Sequence, residues 1–251
     1  MEERELVLKT VVEEVKGTIP ILVGTGAINP NETKAMTQQA IDLGADANLV
    51  VTPPYIKPPQ RGLIQHFVTM ADLGLPLIIY NVPGRTGVDF TPQSIGECYK
   101  SSQNIIGVKE ATGDVSRVQA IRDVISSIQQ ANDSKDDRHL LLYSGDDSTE
   151  AEFVLQGGDG CISVTANVAP SKMVQMMKLS LEGNRDEAMK INAALASIHK
   201  NIFVESNPIP AKWCLKRMGK IESAFCRPPL AELDEQHYSL VEESLKMGGC
   251  L

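Results

Sequence analysis

The chain has 251 residues, 42% of them hydrophobic, and a formal net charge of −8. That is enough apolar material for one large core or two small ones, and Lys and Arg are nowhere dense enough to follow a phosphate backbone, so the expected partners are small molecules and not nucleic acid. No apolar run approaches the roughly 20 residues that span a bilayer, and the opening "MEERELVLKTVVEEVK" is charged and helical in period, unlike a signal peptide; a cytoplasmic protein with no membrane partner is expected.

After this predicted N-terminal helix, short aliphatic runs recur at 19–23, 48–52, 76–80, 105–108, 140–144 and 161–164. Most are spaced by about 28 residues, close to the roughly 31 per unit of an eight-unit βα barrel of about 250 residues. Amphipathic segments lie between them: 30–43 is entered by Asn29-Pro30 and left at Gly44, and 93–100 follows Thr91-Pro92. Strands without polar alternation that take turns with helices predict a parallel sheet covered by helices. The polar stretch 129–139, "QQANDSKDDRH", reads as an exposed loop. Beyond Val168 the period is lost, and 171–182, 186–203, 210–218 and 233–246 all read as helices.

The fold expected is therefore α/β, a TIM (β/α)8-type barrel lacking its first two βα units, with a C-terminal helical extension. Residues 1–182 form the partial barrel that carries the active site, and 183–251 form the extension.

In such a barrel the C-terminal strand ends face one site. They would gather Gly24-Thr25-Gly26, Thr52 to Tyr55, Tyr80-Asn81, Lys109-Glu110, Ser144 to Asp147 and 163–166. Lys109 stands alone among these as a lysine. Desolvated at a barrel mouth, it can attack a carbonyl to form a Schiff base; equally, its ammonium can snorkel out and pair with Glu110 or another strand-end carboxylate. Tyr80 can relay protons or simply fill the core. Arg85, in "YNVPGRTG", suits a bidentate carboxylate, but an arginine in a surface turn is common.

Other motifs predict less. "GTGAIN" fails as a dinucleotide loop because Asn29 replaces the third glycine, so no nicotinamide cofactor is expected. In "SGDDSTEAEF", Asp146 and Asp147 read as helix N-caps, while Gly145 leaves room for close approach of a ligand. Five cysteines without a C-x-x-C pair and four histidines far apart predict neither disulfides nor a metal site.

The segments "ILVGTGA", "VTPPY", "YNVPGRTG", "IIGVKEATGD", "LYSGDD", "GGDGCISVTANVAP" and "FVESNPIPAKW" together resemble the pyruvate-dependent class I aldolases and, within them, the dihydrodipicolinate synthase family. They run in family order through nearly the whole chain. The resemblance implies a condensation of pyruvate with L-aspartate 4-semialdehyde to 4-hydroxy-tetrahydrodipicolinate, in lysine and diaminopimelate biosynthesis, with no cofactor beyond the covalent Schiff base. It implies that Lys109 forms that Schiff base, that Tyr80 gives and takes protons, and that Tyr55 completes a relay by reaching into a neighbouring subunit of a homotetramer. Ile162 would contact pyruvate and Gly145 would line the site. Arg85 would hold the semialdehyde carboxylate, a position where sialic-acid lyases generally lack arginine.

Two departures accompany the resemblance. The family begins with two further units, the second leading to a "GTTGE" loop that binds the pyruvate carboxylate; about 50 to 60 residues, two units of about 31, would then be missing, through an internal start or a genuine fragment. Where relatives bind inhibitory lysine with an asparagine and a tyrosine, this chain has Ile28 and Pro54, with Glu32 retained, so weak or absent lysine inhibition is expected. The competing readings are another pyruvate aldolase, acting on sialic or keto-sugar acids, and a non-catalytic homologue.

Overall fold

A computed structural model describes residues 2–15, 17–131 and 137–251. The chain packs as two compact units, Met1–Tyr143 and Ser144–Leu251.

The first unit opens with helix α1 (Glu2–Val15) and then alternates strand and helix: β1 (Leu22–Gly24), α2 (Pro30–Asp42), β2 (Ala47–Val51), α3 (Gln60–Ala71), β3 (Leu77–Asn81), the short α4 (Pro83–Thr86), α5 (Pro92–Ser101), β4 (Ile105–Glu110) and α6 (Ser116–Ala131), reaching the start of β5 (Leu141–Ser144). Strands β1 to β4 pair in chain order and in parallel, as the unbroken aliphatic runs require. Val50, Leu77, Ile79, Ile105 and Val108 from the strands are almost wholly buried, as are Phe67 and Ile121 from the covering helices.

Local chemistry sets the helix starts. The Asn29 side chain accepts from Asn31 N–H before Pro30 begins α2, and Thr91 accepts from Ser94 N–H before Pro92 begins α5. Helices α5 and α6 approach closely at Gly96, where a Cβ would lie 2.4 Å from a Val124 methyl. Of the predicted loop 129–139, residues 129–131 instead complete α6, and 132–136 lie outside the described residues.

The second unit contains α7 (Glu150–Leu155), β6 (Gly160–Cys161), α8 (Pro170–Leu181), α9 (Arg185–Asn201), α10 (Ile209–Arg217) and α11 (Tyr238–Met247). Its core gathers Met173, Met176, Leu195, Ile198, Val241 and Leu245, with Trp213 stacked on Tyr238 at 5.0 Å between ring centroids. Two predicted boundaries move. The run 161–164 is a strand only to Cys161, because the Asp147 carboxylate draws in the Val164 and Thr165 N–H groups and starts a 3-10 turn, Thr165–Asn167. The last helix begins at Tyr238 instead of 233, after Asp234 accepts from Gln236 N–H and opens a separate 3-10 turn, Glu235–His237. Among the described residues no helix is long and apolar enough to cross a membrane.

Candidate active site

In the first unit, β3 and β4 run in register so that Tyr80 sits beside Lys109 and Asn81 beside Glu110. Partners across a parallel pair share a face, and successive residues alternate faces. Tyr80 and Lys109 therefore point one way, and Asn81 and Glu110 the other. The Lys109 Nζ stands 4.3 Å from the centre of the Tyr80 ring. Burial pushes the Tyr80 phenol above its ordinary pKa of 10, with the Arg85 charge acting in the opposite direction. At neutral pH the phenol thus keeps its proton and can donate it.

On the opposite face Glu110 is held by a network of its own. Its carboxylate accepts from Arg117 Nε at 3.2 Å and Nη2 at 3.1 Å, from Asn81 Nδ2 at 3.2 and 3.1 Å, and from Thr112 N–H at 3.0 Å. Arg117 also donates to Asp89 and to the Phe90 carbonyl, and Asn81 Oδ1 accepts from Phe90 N–H. This network clamps the β3 and β4 ends to the loop that follows Arg85. Sequence reasoning missed it, although strand alternation alone turns Glu110 away from Lys109.

Arg85 lies exposed on α4, a single turn entered by Pro83 and closed by Gly87 in the left-handed region at φ 76°. Thr86 beneath it is buried and accepts from the Thr52 hydroxyl at 3.1 Å, which ties α4 to the segment after β2. That segment carries Tyr55, 86% exposed and held at φ 73°. A non-glycine residue in that region carries strain of about 1–3 kcal/mol, and this one places its ring in solvent. Gly26, in "GTGA", is small for a reason other than a tight turn: a Cβ there would come within 2.6 Å of Val51 N.

In the second unit Gly145 follows β5 and Ile162 follows β6, and the two are brought together when Ile162 N–H donates to Ser144 O at 2.9 Å. Asp146 is not the N-cap of α7, a position held by Thr149 with no side-chain capping bond; its Oδ1 accepts from Thr149 N–H and the Thr149 hydroxyl and braces the turn before the helix. Asp147 does not cap that helix; its carboxylate accepts from Val164 N–H, Thr165 N–H and the Thr165 hydroxyl. Close by, Glu150 is pushed up to about 9 by burial and by the Asp147 charge, with the Cys161 thiol acting the other way.

The Dihydrodipicolinate synthetase family matches residues 1–247. The chain is 45% identical over 251 residues to the 4-hydroxy-tetrahydrodipicolinate synthase of Alcanivorax borkumensis, covering all of this chain and 81% of that protein. Among solved structures, the chloride-inhibited dihydrodipicolinate synthase of Acinetobacter baumannii in complex with pyruvate superposes with a TM-score of 0.91 at 42% identity, covering 100% of this chain and 82% of that one. A monomeric dihydrodipicolinate synthase variant gives 0.92 at 36% identity, covering 100% and 81%. The chain belongs to the dihydrodipicolinate synthetase family, lyases of the class I aldolase type.

Proposed function

We propose that this chain condenses pyruvate with L-aspartate 4-semialdehyde to give 4-hydroxy-tetrahydrodipicolinate, the family's step in lysine and diaminopimelate biosynthesis, with Lys109 as the Schiff-base residue. The observation that carries the reading is the pairing of Lys109 with a half-buried, protonated Tyr80 on one face of the sheet, while Glu110 is taken up by Arg117 on the other.

The Lys109 amine adds to the ketone of pyruvate, and Tyr80 protonates the departing hydroxyl so that water leaves and an iminium remains. The iminium draws electrons from the methyl group, whose proton is lost, and the enamine carbon attacks the aldehyde of the second substrate. The amine of that substrate then adds to the iminium carbon and releases Lys109 as ring closure completes. No cofactor enters any step. Arg85 holds the semialdehyde carboxylate, and Ile162 and Gly145 line the pyruvate side.

Tyr55 acts from a neighbouring subunit of a homotetramer, a role supported by its exposure and strained backbone. The six strands are units of a (β/α)8-type barrel lacking its first two, with 1–182 carrying the site and 183–251 the helical extension. The protein is cytoplasmic, and its inhibition by lysine is weak or absent.

Replacing Arg85 with alanine should raise the KM for the semialdehyde at least about tenfold, the loss of about 1.4 kcal/mol expected of a charge-assisted contact, and leave the KM for pyruvate nearly unchanged. An unchanged semialdehyde KM would move the assignment to another pyruvate aldolase.

A further inference from the structure

We propose that Asp147, Glu150 and His199, all in the second compact unit, form a structural site for a divalent transition-metal ion. One ligand atom from each lies within 4.8 Å of the other two. The three residues come from three places in the chain: the turn before α7, the first turn of α7 and the end of α9. Their spacing in sequence hides them, which is why four scattered histidines predicted no metal.

The case rests on polar atoms that the protein leaves without partners. Glu150 has no exposed surface, and its carboxylate oxygens meet only the Cys161 thiol, a weak donor too poorly placed to count as a full hydrogen bond. His199 is 2% exposed, and its Nε2 is also without a partner. Buried polar groups are nearly always satisfied, and unsatisfied ones on neighbouring residues call for a water, a proton or an ion.

When the single proton of the Thr165 hydroxyl goes to Asp147 Oδ2, at 3.3 Å, its oxygen accepts from His199 Nδ1–H at 2.9 Å. Nε2 is then an unprotonated lone pair, the form that binds metals. The chain Nδ1–H to Thr165 to Asp147 is also the outer-shell support that orients a metal-ligating histidine, and two backbone N–H groups hold Asp147 in turn.

One imidazole and two carboxylates suit zinc or manganese. A proton shared by Glu150 would satisfy one oxygen and one acceptor and leave the rest of the cluster unpaired. Zinc is held at about 2.0–2.2 Å from each such donor.

The test is elemental analysis of the full chain, purified after growth with zinc and manganese and desalted, alongside Glu150→Gln and Glu150→Ala. The expected result is about one equivalent of metal per chain, falling at least about tenfold in both variants, with a Tm that drops on chelation and returns with zinc only in the parent protein. Less than about a tenth of an equivalent in the parent, with no response of Tm to zinc, would assign the space to water or a proton. Full occupancy retained in both variants would place the metal elsewhere. Either result overturns the proposal.

Discussion

The ends of β3 and β4 and the cluster around α7 are both crowded with buried polar groups, but they are satisfied in different ways. At the first, Glu110, Asn81, Asp89 and Arg117 meet every one of their principal needs among themselves and the backbone, so the network acts as a brace that leaves the other face of the strands for chemistry. At the second, Asp147 is satisfied while its neighbours Glu150 and His199 keep bare atoms. A closed network reads as scaffold, and an open one as a place that takes something the chain does not supply.

The largest effect expected on the chemical face comes from Tyr80→Phe. Removing the proton donor should lower kcat by about 10²–10⁴-fold while leaving pyruvate able to add to Lys109, as single-turnover trapping would reveal. A loss under about fivefold would reassign Tyr80 to packing.

The brace can be broken from the other face. Arg117→Ala strands the Glu110 carboxylate, whose side chain is 1% exposed, and should cost about 3–5 kcal/mol in denaturant unfolding. Loss of less than about 1 kcal/mol would mean that Glu110 reaches water or another partner in the variant. Activity measured well below the variant's melting point should fall as well, because the same clamp holds the loop behind Arg85.

The smallest effect concerns His66 on α3, half-buried with its ring edge-on to Phe67 at 5.4 Å. Burial lowers its pKa below the ordinary 6.5. The unfolded chain therefore takes up a proton at a higher pH than the folded one, so the stability this residue permits is intact above 6.5 and is lost as pH falls through that value toward the folded pKa. His66→Leu should flatten the decline in Tm over that window; an unchanged slope would mean other groups carry it.

Most of the fold was legible because its signals are local. Aliphatic runs, Asn29-Pro30 and Thr91-Pro92 marked strands and helix starts to within a few residues, and the candidate residues Lys109 and Tyr80 were legible as strand ends. What stayed hidden depends on contacts distant in sequence. Asp147 looks like a cap in its own decapeptide and becomes the anchor of residues 17 and 18 positions away. Arg117, the second residue of α6, gives no sign in sequence that it neutralises Glu110 and Asp89 at once. Glu150 and His199 are separated by β6, a 3-10 turn and α8 and meet only in the folded unit.

The central claim is that Lys109 is the residue that joins pyruvate covalently, and borohydride reduction of the folded protein with pyruvate, followed by peptide mass mapping, tests it directly. A single reduced pyruvyl adduct on the peptide containing Lys109, absent from Lys109→Arg, is the expected result. An adduct on another lysine, or none on folded protein, would contradict it.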